Sequence, residues 1–403
     1  MSQSFETTLD GLLQTALNNR PDHTFLKAQH ETFTLEDLAI LVAQLAGAFY
    51  DQDVRKGVRV ATQIADKNTY VATILALARL GAVWVPLDER AKPAFLSRRL
   101  SQAKTQLAVA DEEGSRKLRS AGYSGPIVSP RAQDGVAEIE RPPDPLTPDD
   151  WRAIMFTSGT TGKPKGVIVT ERMICAAGQF ATKAAKAGPD ETFMVWEPLN
   201  HIGGAQMIPA ALISGATLAT VDRFSAKKFW QQAKELGATR LHYLGGILDL
   251  LEKQPAGAQD LDHHITHGFG AAARAHMWED FQTRFGVQLT EVYGQTEASS
   301  FCLMNEDGVP ASIGRTIAPF EAVLKDTDGT VIEGEDTPGE LYLHSATPGL
   351  ISPGYLDAPD ATNAVFKGEW FRSGDLARRG ADGNFYFAGR TGDAIRRRGE
   401  NIS

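Results

Sequence analysis

A run of glycines, hydroxyl side chains and lysines lies at residues 155–166, where the sequence reads Met-Phe-Thr-Ser-Gly-Thr-Thr-Gly-Lys-Pro-Lys-Gly. Glycine lets backbone N–H groups converge on an anion without interference from Cβ atoms, and hydroxyl groups donate further hydrogen bonds. Lysine ammonium groups offset negative charge. The pattern therefore predicts a polyphosphate site, called the phosphate loop below, with the candidate contacts Thr157, Ser158, Gly159, Thr160, Thr161, Gly162, Lys163 and Lys165.

The spacing of the phosphate loop differs from that of the common nucleotide-binding loop. That loop needs four residues between its first glycine and a Gly-Lys-Ser/Thr sequence. Here two residues separate Gly159 from Gly162, and Pro164 follows Lys163. The spacing therefore disfavours an ATPase of that type. A surface turn rich in Ser, Thr and Gly is the alternative interpretation, and the rest of the chain argues against it.

Three further motifs follow the phosphate loop: Tyr-Gly-Gln-Thr-Glu at 293–297, Ser-Gly-Asp at 373–375 and Gly-Arg-Thr-Gly-Asp at 389–393. In order and spacing the four motifs resemble those of the adenylate-forming enzymes, which include acyl- and aryl-CoA ligases, peptide-synthetase adenylation domains and luciferases. The resemblance covers nearly all of the chain. Residues 224–230 and 238–239 are more weakly similar to the carnitine or crotonobetaine CoA ligase branch.

The resemblance implies that ATP, AMP, Mg²⁺ and CoA bind to the enzyme. It implies that Glu297 holds Mg²⁺, that Thr296 contacts the α-phosphate and that Tyr293 packs on adenine. It also implies that Asp375 binds the ribose diol, with Arg390 nearby. The turn before Asp375 predicts a carboxylate that is free to accept two hydroxyl hydrogen bonds. The remaining implied nucleotide contacts are Gly270, Ala271, Ala272, Glu291, Gly294 and Gln295.

The segment Pro-Leu-Asn-His-Ile-Gly-Gly at 198–204 is similar to the Pro-Leu-Phe-His segment of acyl-CoA ligases, with Asn200 in place of the aromatic residue. A neutral imidazole at His201 could hydrogen-bond the substrate carboxylate or gate its pocket, although a lone histidine is often a structural group. With Asn200, the pair Gly245 and Gly246 predicts a roomy pocket that is not wholly apolar. We therefore expect a small to medium carboxylic acid with a polar group.

Peptide-synthetase domains place an aspartate near the pocket entrance to pair with the ammonium group of an amino acid. Pro-Leu-Asn-His occupies that region here, so an α-amino acid would lose its counter-ion. An acid–CoA ligase is therefore preferred. A domain that loads a carrier-protein phosphopantetheine, and a nucleotide-binding module without catalysis, stay open as alternatives.

Two clusters of basic residues lie outside these motifs. His263, His264 and His267 lack the supporting cysteine or acidic spacing of a metal site, so we expect a solvated cluster ahead of a strand. Arg396, Arg397 and Arg398 are predicted either to meet CoA phosphates or to form a solvated face.

Composition limits the class of protein and its partners. The 403 residues are 42% hydrophobic and 23% charged, as in a globular enzyme, and the net charge of −9 argues against nucleic acid as a partner. Only Cys175 and Cys302 are present, which implies no disulfide framework. The N-terminus has no signal-peptide pattern and no apolar run reaches membrane-spanning length. We therefore expect a cytoplasmic protein, and a homodimer stays open.

Strand and helix patterns alternate along most of the chain, which predicts an α/β fold. We expect two parallel-rich sheets with crossover helices in a layered αβαβα-like core, and a small antiparallel β-barrel-like subdomain. The predicted divisions are 1–150, 151–311 with the phosphate loop, 312–390 for the barrel-like part and 391–403 for a hinge. Loops after strands, including residues 268–272, should line one cleft, because ligands collect at the carboxyl ends of parallel strands.

Asp393 matches a hinge residue of the adenylate-forming enzymes. In that family the hinge connects the large domain to a smaller C-terminal domain, which carries a catalytic lysine. The sequence ends ten residues later, at Ser403. From the resemblance we expect residues 1–403 to bind ATP or AMP, to adenylate slowly and to make little thioester.

Overall fold

The computed structural model describes residues 5–28, 31–133, 135–157, 164–391, 395–397 and 400–402. The α-helices are α1 (Leu9–Asn19), α2 (Leu35–Asp51), α3 (Lys67–Arg79), α4 (Pro93–Ala103), α5 (Glu112–Ser120), α6 (Glu171–Ala185), α7 (Ile202–Ala205), α8 (Met207–Ser214), α9 (Phe229–Leu236), α10 (Gly245–Glu252), α11 (Trp278–Phe285) and α12 (Pro359–Val365). Short 3₁₀ turns lie at Ala258–Asp260, Ala275–Met277 and Thr296–Ala298.

The strands are β1 (Thr24–Lys27), β2 (Thr32–Thr34), β3 (Arg59–Gln63), β4 (Val83–Pro86), β5 (Leu107–Ala110), β6 (Ile127–Val128), β7 (Trp151–Thr157), β8 (Lys165–Thr170), β9 (Thr192–Val195), β10 (Thr217–Thr220), β11 (Arg240–Leu244), β12 (His267–Ala271), β13 (Gln288–Tyr293), β14 (Leu303–Met304), β15 (Ser312–Thr316), β16 (Phe320–Lys325), β17 (Gly339–Ser345), β18 (Phe366–Lys367), β19 (Trp370–Arg379), β20 (Phe385–Arg390), β21 (Ile395–Arg397) and β22 (Glu400–Ile402).

Two large sheets organise the fold, as the sequence predicted. The first has the order β6-β5-β3-β4-β7-β8 and is parallel except at the pairing of β7 with β8. The second runs β16-β17-β19-β20-β15-β14-β13-β12-β11-β9-β10-β1-β2, with a parallel stretch from β13 to β1. The antiparallel strands β14 to β20 extend one edge of this second sheet.

The strands are shared between the sheets differently from the predicted division at residue 150. β7 and β8 join the first sheet through β4, while β1 and β2 join the second sheet through β10. Apolar runs indicate that a strand is buried but not which sheet buries it, because the pairing is nonlocal. Phe25 and Leu26 in β1 are buried in the same core as the strands of both sheets.

Helix α6 lies between the two sheets. It contacts β7 and β8 on one side and β11, β12 and β13 on the other, and most of its side chains are buried. Its sequence is rich in alanine, which lets the sheets approach it closely, with Phe180 as the largest buried side chain of the helix. The layered αβαβα-like arrangement predicted from the sequence depends on this helix.

Local signals in the sequence fix several helix bounds. Thr34 caps α2: its hydroxyl accepts from the Asp37 N–H at 3.0 Å, and the Asp37 carboxylate accepts from the Thr34 N–H at 2.9 Å, which completes the predicted capping box. Helix α4 begins at Pro93 and ends at Ala103, as predicted. No helix in the described part of the chain is long and apolar enough to span a membrane.

The expectation that residues 268–272 follow a strand is wrong, because Gly268 to Ala271 belong to β12. Two glycines in five residues weaken the sequence signal for a strand. Gly270 is required by packing, since a Cβ atom there would lie 1.9 Å from the backbone oxygen of Tyr243 in the neighbouring strand β11.

Candidate active site

A cavity of about 640 Å³ lies where the second sheet, the antiparallel strands and the end of β7 meet. The predicted site residues that line it are Thr157, Lys165, Ala271, Gly294, Gln295, Thr296, Glu297 and Arg390. Ser158, Gly159, Thr160, Thr161, Gly162, Lys163 and Asp393 lie outside the described residues, as do the side chains of Arg396, Arg397 and Arg398. The cavity therefore gathers predicted site residues from four separate parts of the chain.

Asp375 is buried next to this cavity: it does not line the cavity itself, but the preceding residues Ser373 and Gly374 and its partner Arg390 do. Its Oδ2 accepts from the Tyr293 hydroxyl at 2.7 Å and from the Gln295 amide at 2.8 Å, and its Oδ1 pairs with Arg390 Nε at 3.1 Å. Both carboxylate oxygens are thus engaged, in contrast to the free carboxylate expected from the sequence. The turn signal could not reveal this, because two of the partners lie about 80 residues earlier in the chain. A ribose hydroxyl would share Asp375 with these partners.

Tyr293 ends β13, is buried and is not one of the residues that line the cavity. Burial and the adjacent Asp375 carboxylate raise its pKa well above the ordinary value, which keeps the hydroxyl a donor to Asp375. The predicted packing of Tyr293 on adenine stays a prediction.

Glu297 sits in the 3₁₀ turn that follows β13 and reaches the cavity. Its Oε1 accepts from the Tyr355 hydroxyl at 2.8 Å, and the ammonium group of Lys165 lies 4.8 Å from the centre of the Tyr355 ring. Burial raises the pKa of Glu297, while the Tyr355 hydrogen bond and the charge of Lys165 oppose that rise. A positive ligand at this carboxylate would offset the cost of burying its charge.

No signal in the sequence pointed to Tyr355. It lies 58 residues after Glu297 in an irregular Gly-Tyr-Leu segment, where no periodic pattern marks a functional position. Its ring nevertheless connects Glu297 to Lys165, so it positions two predicted site residues.

Glu291 was expected to contact the nucleotide, but its carboxylate is buried beneath the segment 271–273. Its Oε1 accepts from the N–H of Ala272, and its Oε2 accepts from the Tyr243 hydroxyl at 2.8 Å and from the N–H of Ala273 at 3.2 Å. Ala272 has φ of +68°, an unfavourable backbone conformation for alanine. Glu291 therefore holds a strained turn in place at the edge of the cavity.

Gly245 and Gly246 differ in their surroundings. A Cβ atom on Gly245 would lie 1.8 Å from the backbone oxygen of Ala272, whereas one on Gly246 would meet nothing within 4 Å. Leu244, and neither glycine, lines the cavity. Gly245 thus allows α10 to approach the turn that Glu291 holds.

His201 and Asn200 do not line the cavity either, although their neighbours Ile202 and Gly203 do. His201 is the N-cap residue of the short helix α7, makes no side-chain capping bond and is exposed. The role predicted for His201 at the substrate carboxylate stays a prediction.

A different histidine, His242, lies in the cavity wall. Its Nδ1 is 2.6 Å from Glu197 Oε1, and both side chains are buried. Sequence reasoning missed this pair because the partners lie 45 residues apart, on β11 and just after β9. The single signal available was a charged residue, Glu197, directly before the Pro-Leu-Asn-His segment.

Of the three histidines expected in a solvated cluster, His264 is exposed, whereas His263 is half-buried and His267 is buried. His267 is buried in β12, where its Nε2 lies 3.0 Å from the backbone oxygen of Ala184, and burial lowers its pKa to about 4. His263 stacks on Trp230 at 4.2 Å between ring centres. Trp230 and Ala184 lie well before these histidines in the sequence, so the local pattern does not reveal the contacts. Within the described residues, no group of three or more His, Cys, Asp or Glu side chains could hold a metal ion.

Comparison with known proteins agrees with this geometry. A family model for AMP-binding enzymes matches residues 13–356. The chain is 28% identical to a crotonobetaine/carnitine–CoA ligase of Salmonella arizonae over 94% of this chain and 77% of that protein. It is 29% identical to a sulfoacetate–CoA ligase of Cupriavidus necator over 98% of this chain and 81% of that protein.

Solved structures share the fold at lower sequence identity. A benzoate CoA ligase from Burkholderia xenovorans superposes with a TM-score of 0.88 at 20% identity, covering 97% of this chain and 81% of that one. An O-succinylbenzoate coenzyme A synthetase from Bacillus subtilis, in complex with AMP, gives a TM-score of 0.86 at 21% identity, with coverages of 98% and 81%.

Gly245→Ala should lower the free energy of unfolding by about 1–3 kcal/mol, because the new methyl group collides with the Ala272 carbonyl. Gly246→Ala is the matched control. It adds a methyl group in open space within a helix and should be neutral or stabilising by up to about 1 kcal/mol. Urea unfolding of both variants measures the difference, and equal stabilities would contradict the close approach.

The pH dependence of stability should report Glu291. Burial raises its pKa from the ordinary 4.5 to about 7, against the hydrogen bonds from Tyr243, Ala273 and Ala272. Between these pH values the folded state binds more protons than the unfolded state, so the contribution of Glu291 to stability falls as the pH rises and is constant above about 7.

Glu291→Gln removes this titration. The free energy of unfolding of the variant minus that of the parent should therefore increase as the pH rises from about 5 to about 7.5, because only the parent loses stability over this range. A difference between variant and parent that does not change with pH would contradict the raised pKa.

Proposed function

The chain belongs to the AMP-binding enzyme family, and we propose that it joins a carboxylic acid to ATP as an acyl-adenylate and then passes the acyl group to CoA. Its relatives of known name are acid–CoA ligases. In the first step the acid carboxylate attacks the α-phosphorus and pyrophosphate leaves. In the second step a thiol attacks the acyl carbon and AMP leaves.

The observation that carries this proposal is the convergence of the predicted nucleotide residues on one cavity. Thr157 and Lys165 from the first sheet, Gly294 to Glu297 after β13, and Arg390 at the end of β20 all line it. These segments are far apart in sequence, so a shared cavity is not a consequence of local turn chemistry. The AMP complex of a structural neighbour supports a nucleotide in this fold.

We assign the adenosine to the side of the cavity that is lined by Ala271 and by Ser373 and Gly374. Glu291 holds the residues that follow Ala271, because its carboxylate accepts from the N–H groups of Ala272 and Ala273. Asp375, next to Gly374, has three protein partners and about four acceptor sites, which leaves about one site for a ribose hydroxyl. The phosphates then lie toward Lys165 and Glu297.

Mg²⁺ fits the donors that this cavity offers. The ion is commonly held by one or two carboxylates together with substrate phosphates, without an all-protein cage. Glu297 is such a carboxylate: it is buried, faces the cavity and has one oxygen committed to Tyr355. When bound, the ion would offset phosphate charge. Glu297 would hold it, and Tyr355 would fix the orientation of Glu297.

The chemical difficulty is that a carboxylate is a poor electrophile and that both reactants are anions. The chain reduces their repulsion with the Lys165 ammonium group, which belongs to a residue that lines the cavity. Tyr355 contacts both Lys165 and Glu297, so these two side chains are already positioned relative to each other before the reactants bind. The adenylate converts the acyl carbon into an electrophile with AMP as leaving group.

We place the reaction in the cytoplasm, where ATP and CoA are available. The two cysteines support a reducing compartment, since Cys175 and Cys302 are both free and buried. CoA as the thiol acceptor is supported by the two ligase relatives.

Acid-dependent exchange of labelled pyrophosphate into ATP tests the proposal. Glu297→Gln should reduce the exchange rate by a few powers of ten through lost metal binding, with ATP still bound. Glu340→Gln is the control, because Glu340 also lines the cavity but is already paired with Arg372 at 2.7 Å; it should retain exchange within about tenfold. Undiminished exchange by Glu297→Gln would contradict the assignment of the metal carboxylate. Absence of ATP binding by the parent chain would contradict the function itself.

A further inference from the structure

The buried pair of His242 and Glu197 is not needed to hold a nucleotide, yet it forms part of the cavity wall. The side chains are 3% and 4% exposed, and the 2.6 Å contact joins His242 Nδ1 to Glu197 Oε1. A carboxylate can only accept at this contact, so Nδ1 carries the proton. Nε2 is therefore the ring atom left to interact with a ligand.

Within the part of the chain that the structure describes, His242 Nε2 has no hydrogen-bond partner. The other parts of the residue are held by several contacts. The Trp196 indole N–H donates to the backbone oxygen of His242 at 2.8 Å. The Phe269 ring lies 4.8 Å and the Phe301 ring 6.0 Å from the imidazole centre. Gly203 adds room at the ring, since a Cβ atom there would come within 3.1 Å of His242 Cε1. The imidazole is thus a rigid group with one unused polar atom.

The charge of Glu197 has a second neighbour. Lys67 is buried, its ammonium group donates to the backbone oxygen of Val195 at 3.0 Å, and it attracts the Glu197 carboxylate. Burial lowers the pKa of Lys67 to about 8, so it remains charged at neutral pH. Lys67 therefore places a positive charge near Glu197, and with Nδ1 donating to Glu197, Nε2 is the hydrogen-bond acceptor of the ring.

The surroundings decide which ligand group suits this acceptor. Ile202, Leu244 and Phe301 give the cavity apolar surface beside His242. An ionised carboxylate or sulfonate can only accept hydrogen bonds, so it has no proton to donate to Nε2, which is itself an acceptor. A hydroxyl group carries no charge and donates to Nε2, so it fits both the acceptor and the apolar wall.

We propose that the Glu197–His242 pair determines substrate specificity by accepting a hydrogen bond from a hydroxyl group on the acid. The inference rests on the proposed function and deepens it, since it names hydroxy acids as the substrate class. Glu197 is a positioning residue that fixes the imidazole, and His242 touches the substrate.

Matched pairs of acids that differ in one hydroxyl group test this inference: 3-hydroxypropanoate and propanoate, 3-hydroxybutanoate and butanoate, 4-hydroxybutanoate and butanoate, and 4-hydroxybenzoate and benzoate. The readout is kcat/KM for acid-dependent pyrophosphate exchange, with the Kd for ATP measured separately by calorimetry. For at least one pair we expect the parent chain to prefer the hydroxy acid by about 10- to 100-fold. The acid without the hydroxyl group would leave His242 Nε2 without a hydrogen bond in the bound state.

His242→Asn is the decisive variant. The asparagine amide can still donate to Glu197 from the Nδ1 position, so the buried carboxylate keeps a partner, but no atom replaces Nε2. The preference for the hydroxy acid should fall to within about threefold, with an unchanged Kd for ATP. His242→Gln reaches further into the cavity and should restore part of the preference. His276→Asn, at an exposed position outside the cavity, is the control and should behave like the parent.

The outcomes separate the inference from the function. ATP binding with no preference for any hydroxy acid, or with no response to any of them, overturns the inference alone. A preference that survives His242→Asn also overturns it. Absence of ATP binding by the parent chain overturns both the inference and the proposed function.

Discussion

A buried carboxylate, that of Asp375, connects the end of the parallel sheet to the antiparallel strands. Tyr293 and Gln295 approach it from the end of β13, and Arg390 approaches from the neighbouring strand β20. Removing a carboxylate from water is costly unless charged or hydrogen-bonding partners replace the water. The three partners meet this condition only if both parts of the sheet hold their positions. The contact joins the cavity-lining residues Ser373 and Gly374 to the turn that carries Thr296 and Glu297.

The other buried acids around the cavity follow the same rule. Glu291 is held by Tyr243 and by backbone N–H groups, Glu297 by Tyr355, and Glu197 by His242. In each case the partner comes from a distant segment, so each carboxylate ties separate elements together while it shapes the cavity. Losing one partner would leave an uncompensated buried charge, which is more costly than losing an ordinary surface contact. The rigidity of the site therefore comes from its polar groups as much as from the apolar core.

The sequence predicted much of this fold because local rules govern it. The capping box at Thr34, the start of α4 at Pro93 and the alternation of strands and helices need only neighbouring residues. The sheet that receives each strand could not be read in this way. β7 pairs with β4, which lies about 70 residues earlier, and nothing in the apolar run of β7 indicates that partner. The same limit explains why Gly245 and Gly246, adjacent in sequence, differ in what surrounds them.

Within the site, prediction succeeded where a motif carries its own chemistry and failed where a contact joins distant residues. The turn at 294–297 and Lys165 reach the cavity as expected. Tyr355, Glu197 and His242 were missed, and Glu291 supports the cavity wall from behind. A motif indicates which atoms can do chemistry, but which side chains hold them depends on the complete fold.

If the cavity binds an adenine nucleotide with a ribose hydroxyl on Asp375, removing the charge of that carboxylate must weaken binding. Titration calorimetry of AMP into the parent chain and into Asp375→Asn measures this effect, because the substitution keeps the shape of the side chain and removes one charged acceptor. We expect saturable binding at one site by the parent and at least about tenfold weaker binding by the variant, a difference of about 1.4 kcal/mol. Equal affinities, or no binding of AMP by a folded parent chain, would show that Asp375 does not contribute to a nucleotide site.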